Sequence, residues 1–261
     1  MQLNKLALAL SLTVLALPMS AMAEDAPVTA ATPAAEAPAT EAPAAEDSGF
    51  LSPFTWNFSY NSDYLFRGYS LNNQEPAFQG GVDYSFGDSG IAVGTWLSQV
   101  DFNDSSGVHL EQDWYIGWTH QMSADWSFNV LLDYYTYLGA NSGYSGYDYP
   151  ELFASATYAG KYKFTVAYAN DYVRSGFSTW YYEGAGTWDL GNSYSLFASL
   201  GYQTWDKGIG YKDYANYSVG VTRTFGRVTA KLGWYGTDSN GKDNFGRNGG
   251  NRAFLSFAIG G

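Results

Sequence analysis

The chain has 261 residues, no Cys, 18% aromatic residues, 30 Gly and a formal charge of −12. The lack of Cys removes disulfide frameworks and thiolate metal or redox sites, and the acidic balance leaves no phosphate-neutralising face, which excludes nucleic acid as a partner. With 23 Tyr and 9 Trp beside only 15% charged residues, the composition suits a sheet that meets lipid headgroups better than a soluble core, where Leu and Ile dominate.

Residues 1–23 combine Lys5, an apolar stretch from Leu6 to Leu17, Pro18 and the small-residue site Ala21-Met22-Ala23. This is the pattern of a secretory signal peptide, and the apolar stretch is too short for a spanning helix. Residues 24–50 read as a disordered Ala/Pro/Glu-rich linker on the periplasmic side. Its segment 24–47 holds six acids with no base and no aromatic, so it buries too little apolar area to offset the entropy of ordering. It reads as a solvated tail or as a tether toward the cell wall or a partner.

From residue 51 to 261 the chain reads as one barrel domain. The unit is clearest in Pro76 to Asp101. Phe78, Val82, Tyr84 and Phe86 share one parity, Gln79, Gly81, Asp83 and Ser85 the other, and Gly87 to Gly90 has the composition of a tight turn. That is a hairpin of strands with one apolar and one polar face. Repetition of the pattern predicts strands at 55–66, 76–86, 90–101, 109–121, 126–137, 148–158, 162–171, 179–189, 193–204, 213–224, 227–236 and 251–260.

The connections alternate strictly. Those after the even-numbered strands are short, as in GDS, AGK, LGN and FGR, whereas those after the odd-numbered strands run to about ten residues, as in LGANSGYSGY. A soluble sandwich has no reason to sort its loops in this way, and an up-and-down outer-membrane barrel does. The prediction is therefore an all-β, 12-stranded antiparallel transmembrane barrel in the outer membrane of a Gram-negative cell. Its turns and both termini face the periplasm, and its partners are outer-membrane lipid and the barrel-assembly machinery. Strand 12 ends on Gly261 rather than on the aromatic residue that such machinery usually reads.

Faces follow from parity. The outward set includes Trp114, Ile116, Phe128, Val130, Leu132, Leu232 and Trp234, none of them charged, as expected where a basic residue at the lipid midplane costs roughly 2 to 4 kcal/mol. Beside the short turns stand Trp56, Phe86, Trp118, Trp126, Tyr158, Tyr162, Trp188, Tyr194 and Phe225, a row that reads as the periplasmic aromatic girdle. The inward set collects Asp63, Asp83, Glu111, Asp113, Asp133, Glu151, Asp171, Glu183 and Asp189 against Arg67, Lys163 and Lys231, with Gln79 and Trp96 also lining the lumen. A net negative wall in a confined channel raises the local cation concentration. Twelve strands lie between a filled and a wide barrel, so a small open pore and a lumen closed by pairing of these charges both fit.

No constellation suggests an enzyme. His109 and His120 are 11 residues apart on one predicted strand and face opposite sides, so they share neither a metal nor a base. No G-x-S-x-G, H-E-x-x-H or P-loop pattern occurs. The Gly-rich stretches 139–146 and 236–250 read as mobile surface loops, and no cofactor or metal is expected.

The segments SDYLFRGYS (62–70), EPAFQGGVDYSF (75–86), GIAVGTWLSQVDF (90–102), LEQDWYIGW (110–118) and YDYPELFASATY (147–158) resemble the TorF-like family of proteobacterial outer-membrane porins. The resemblance implies a β-barrel porin with no defined substrate. It singles out Arg67, Gln79, Asp83, Trp96 and Glu151 as matching positions. The expected function is passive diffusion of small polar or cationic solutes and ions through an acidic lumen, narrowed by Tyr115, Tyr135, Tyr181 and Trp96. The alternative is a non-conducting barrel with a structural, anchoring or adhesive role.

Overall fold

Alternation of apolar and polar residues over eight to thirteen positions leaves each strand with one face for lipid and one for the lumen, and the computed structural model, which describes residues 53–142 and 146–261, closes these strands into a single barrel. The predicted signal peptide and linker lie outside the described residues. In order the strands are β1 (Phe54–Asn61), β2 (Ala77–Ser85), β3 (Ile91–Gln99), β4 (Leu110–Gln121), β5 (Trp126–Leu138), β6 (Tyr149–Tyr158), β7 (Tyr162–Ala169), β8 (Thr179–Gly191), β9 (Tyr194–Trp205), β10 (Tyr214–Phe225), β11 (Val228–Thr237) and β12 (Arg252–Gly260). Each pairs antiparallel with its sequence neighbours, and β1 pairs with β12 in the register Phe58 opposite Ile259 to complete the ring. Trp56 and Gly261 exchange backbone hydrogen bonds of 2.9 and 3.1 Å at the seam.

Short turns lie at one end of the barrel with both described chain ends, and long loops at the other. Asn192 and Ser193 both have positive φ (53° and 64°), and Gly226 has φ 60°. These are the conformations that fit two-residue turns to the right-handed twist of paired strands. Among the long loops, 238–251 departs from expectation. It contains helix α1 (Ser239–Phe245), capped by the Asp238 side chain, which accepts from Gly241 N at 3.0 Å. The stretch 236–250, read from the sequence as a surface loop, thus carries a short capped helix; the 139–146 stretch is described only in part.

The exterior is apolar. Trp114, Ile116, Leu132, Phe164 and Leu232 are 47–56% exposed, an arrangement that water would not tolerate around a whole barrel. Among the described outward-facing strand positions one side chain carries a permanent charge. This is Arg223, at the turn end, with its guanidinium 4.7 Å from the Tyr194 ring centre and 4.4 Å from that of Phe225. Such placement lets a long cationic stem lie along apolar surface while its head sits over aromatic rings at the rim. Trp56, Phe86, Trp118, Trp126, Tyr158, Tyr162, Tyr194 and Phe225 stand exposed at the same end. Trp188 folds over Gly186 and donates to Tyr162 Oη at 3.3 Å.

The buried core lies inside the ring, and the largest difference from the sequence reading is here. Strand 1 was expected to run to residue 66, yet β1 ends at Asn61 and the chain turns into the lumen. Residues 63–70 are all buried. Tyr64, Leu65 and Phe66 are successive apolar residues, so no alternating assignment can place them on a wall with one wet face. Burying them together inside the barrel resolves the conflict. Asp63 and Arg67 therefore lie on an inserted loop, not on the strand wall. Asp171 is a second correction: β7 stops at Ala169, and the Asp171 carboxylate lies in the following loop, accepting from Gly176 N at 2.7 Å. Asp189 also serves its turn, accepting from Gly191 N at 2.7 Å.

Candidate functional site

The inserted loop, residues 62–76, is a hairpin with two rungs, Leu65 opposite Ser70 and Phe66 opposite Tyr69. Its two-residue turn is Arg67-Gly68, with φ +47° and +81°. A turn with both central residues left-handed matches strand twist and ordinarily takes Asn-Gly, so Arg67 holds a conformation that costs a non-glycine residue about 1–2 kcal/mol. Gly68 is required for a further reason. A Cβ there would lie 2.6 Å from Gly236 O and 2.7 Å from Asn216 Cβ, because the tip abuts β11 and β10. Gly68→Ala is therefore expected to undock the tip, seen as faster proteolysis within residues 64–71 while the barrel strands stay protected.

The hairpin is held from its neck to its tip. At the neck, Asp63 accepts from Ser70 Oγ at 2.6 Å and pairs with Arg252 at 2.9 Å. Burial pushes the Asp63 carboxyl above its ordinary range, against those two partners, which act the other way. Along its length Tyr64 packs edge-on against Trp96, with ring centres 5.6 Å apart. Tyr69 stacks on Phe245 of α1 at 3.8 Å and shares a 3.1 Å hydrogen bond with Tyr172. At the tip, Tyr214 Oη donates to Arg67 O at 3.2 Å.

Arg67 spends its guanidinium on the opposite wall. It pairs with Glu151 at 2.8 Å and donates to Gln203 Oε1 at 2.8 Å. Its plane lies 4.6 Å from the Phe66 ring centre and 4.3 Å from that of Tyr181. Both partners of the ion pair are at most 3% exposed. A planar guanidinium suits this seat, because it makes hydrogen bonds in its plane and stacks above and below it.

The wall it meets is acidic. Glu111 and Asp113 on β4, Asp133 on β5 and Glu151 on β6 are each 2% exposed or less. Strand register sets Asp133 directly opposite Glu151 and Asp113 opposite Tyr135. Tyr64 Oη donates to Glu111 Oε1 at 2.5 Å. Glu111 Oε2, Asp113 Oδ1, Glu151 Oε1 and both Asp133 oxygens find no hydrogen-bond donor among the described residues. Four carboxyls thus gather in this layer, of which Glu151 pairs with the guanidinium of Arg67, a focused negative region in a confined space.

The other expected lumen residues lie elsewhere inside the ring. Gln79 bridges β1 and β3, accepting from Asn61 Nδ2 at 2.7 Å and donating to Ser98 Oγ at 3.0 Å. Asp83 accepts from Tyr115 Oη at 2.7 Å. Lys231 sits 4.3 Å from the Phe197 ring centre. Lys163 is half-buried in the turn-side half, away from the hairpin layer, whereas Glu183 is half-buried in the loop-side half of β8 and accepts from Tyr181 Oη at 3.1 Å at the edge of that layer. The structure thus gathers Arg67, Trp96, Glu111, Asp113, Asp133 and Glu151 into one layer and leaves Asp83, Lys163, Glu183 and Lys231 outside it. Tyr64, Tyr69, Gln203, Tyr214 and Arg252 belong to the site but not to the sequence-derived set. For the hairpin a signal existed, since Leu-Phe-Arg-Gly-Tyr-Ser flanks a two-residue turn with Gly second. Gln203 and Arg252 carry no local signal.

A family model described as "Bacterial protein of unknown function (Gcw_chp)" matches residues 44–256. No curated protein matches the sequence. Solved structures with a similar outline include the NanC porin, at 11% identity over 79% of this chain and 97% of that one, with a TM-score of 0.47. OprD from Pseudomonas aeruginosa aligns at 10% identity over 80% of this chain and 65% of that one, with a TM-score of 0.40. LpxR from Salmonella typhimurium aligns at 11% identity over 79% of this chain and 99% of that one, with a TM-score of 0.42.

Proposed function

The chain belongs to the Gcw_chp family, and from its geometry we propose that it is an outer-membrane channel for small polar or cationic solutes, with the inserted hairpin as its constriction. One observation carries this reading: a closed barrel coated with apolar side chains is crossed inside by a hairpin whose cationic tip pairs with Glu151, in a layer that also holds Glu111, Asp113 and Asp133. An apolar coat seats the barrel in lipid, and a polar, charged interior narrowed by a loop selects what passes. The kinship read from SDYLFRGYS and its companion segments to TorF-like porins belongs with this proposal. Two of the positions it singles out, Arg67 and Glu151, form the buried ion pair.

In this reading the short turns and both ends of the barrel face the periplasm, and the long loops face outward. The signal peptide directs export, and the barrel-assembly machinery inserts the strands. Neutralising the wall tests the selectivity. In planar bilayers the native chain is expected to show small, cation-selective steps, and Glu111→Gln/Asp113→Asn/Glu183→Gln is expected to move the reversal potential under a salt gradient toward zero. Anion selectivity of the native chain would discard the acidic wall as the selecting element.

A second reading has its own support. The hairpin layer is buried on every side, with Tyr64 at 2%, Arg67 at 3% and Glu111 at 0% exposure, as in a barrel whose lumen is filled for rigidity. A folded barrel that stays silent in the bilayer, with and without its hairpin, would favour that structural role.

A further inference from the structure

Above the hairpin, at the long-loop mouth, lies a cup of about 320 Å³. Tyr69, Phe102, Tyr137, Tyr172, Tyr211 and Phe245 line it, Tyr69 and Phe245 stacked on each other, and Asp104 is the one charged residue of its lining. The loop cations nearby are engaged elsewhere: Lys212 with Asp243 at 2.7 Å, Arg174 with Asp148 at 3.8 Å, and Arg247 donating to Asn73 O at 3.1 Å. Asp104 is fixed in place, accepting from Ser106 N at 2.8 Å and from Tyr147 Oη at 3.0 Å. Burial is the largest single influence and works against its charge, but the hydrogen bonds from Ser106 and Tyr147 together outweigh it and hold the carboxyl below its ordinary range.

We propose that this cup binds a choline-sized methylated ammonium ion, through cation–π contact with its rings and the charge of Asp104. The physical choice between ligand classes is direct. Aromatic faces carry negative quadrupole and attract a cation within about 6 Å of the ring centre. A neutral apolar solute would desolvate Asp104 with no compensating charge. A small inorganic cation or a primary ammonium keeps its water more tightly than a methylated one does, and rings do not replace that water. The cavity lies at the lower end of the range usual for small-molecule sites, about 300–1,000 Å³, and holds one such ion. The site stands whether or not the lumen conducts.

The test is calorimetric titration of the refolded full-length barrel in a non-ionic detergent with choline, and with its uncharged isostere 3,3-dimethylbutan-1-ol. Choline is expected to bind about tenfold or more tightly than the isostere. Tyr211→Leu and Asp104→Asn each weaken choline by about threefold to tenfold, whereas Asp104→Asn, which removes the charge that a neutral solute desolvates, tightens the isostere. Both residues are exposed, so neither change threatens the fold. Equal binding of the two ligands, no binding of choline, or variants with native affinity would each overturn the proposal. A barrel that binds choline selectively but carries no current would keep the cup and remove the channel; one that conducts but does not bind choline would do the reverse.

Discussion

Replacing residues 64–71 by a Gly/Ser linker of equal length is expected to raise single-channel conductance several-fold and to strengthen cation selectivity. The hairpin leaves the β1–β2 edge, abuts Gly236 on β11 and Asn216 on β10, and reaches Glu151 on β6 through Arg67, and its side chains are buried among lumen residues. It therefore occupies cross-section that ions would otherwise use, at the layer where the barrel is most filled. Twelve strands enclose more interior than the ~8 whose own side chains fill the space, so removal of the loop leaves an aqueous path. It also removes Arg67, the partner of Glu151 in the layer that holds Glu111, Asp113 and Asp133, and the uncovered carboxyls then act on passing ions without that counter-charge. Equal linker length keeps β1 and β2 in register, and circular dichroism of the variant should match the native barrel. Unchanged conductance in a folded variant would mean that the hairpin is not the constriction.

The second large effect concerns the ion pair. Arg67→Met leaves Glu151 as a buried carboxylate without its partner, a change that costs about 3–5 kcal/mol in comparable buried pairs. That energy falls on docking of the hairpin, because the barrel itself is closed by a full ring of backbone hydrogen bonds. The docked-to-undocked ratio should fall by roughly two to four powers of ten, read as frequent opening events in the bilayer and as protease cleavage within residues 64–71. The double variant Arg67→Met/Glu151→Leu removes both charges and should recover most of the docking, since well-packed apolar replacements of a buried pair are often neutral or better. Arg67→Lys keeps the charge but loses the planar stack between Phe66 and Tyr181 and the fork to Glu151 and Gln203, so it should fall between native and Met. A double variant as open as Arg67→Met would show that the tip is held by stacking and by the Tyr214 contact, not by charge.

Local pattern reached far in this chain. Each of the twelve predicted strands overlaps an observed one, and the alternation of short turns and long loops is the observed one, because period-2 burial and turn chemistry are encoded within ten residues of each other. The exceptions are informative. Alternation carried the first strand through Tyr64-Leu65-Phe66, where the side chains are apolar on both parities, and through the Arg67-Gly68 turn that marked a reversal. The seventh strand was extended to Asp171 because its charge fitted the inward parity, whereas the carboxylate caps a loop turn. In the 236–250 stretch, Gly and polar composition concealed α1, whose Phe245 is ordered by stacking on Tyr69.

By itself the sequence determined the strand number, the two faces of the wall and the sorting of loops to the two ends, all of which follow from residue alternation along single strands. Only the tertiary structure decided that loop 62–76 turns inward, that Arg67 seats against Glu151, Gln203 and Tyr181, and that the loop aromatics Tyr69, Phe102, Tyr172, Tyr211 and Phe245, from five connections, meet in one cup. Those contacts join residues far apart in the chain, 136 positions for Arg67 and Gln203 and more for Tyr69 and Phe245. They depend on the diameter and stagger of the closed ring, which no local periodicity contains.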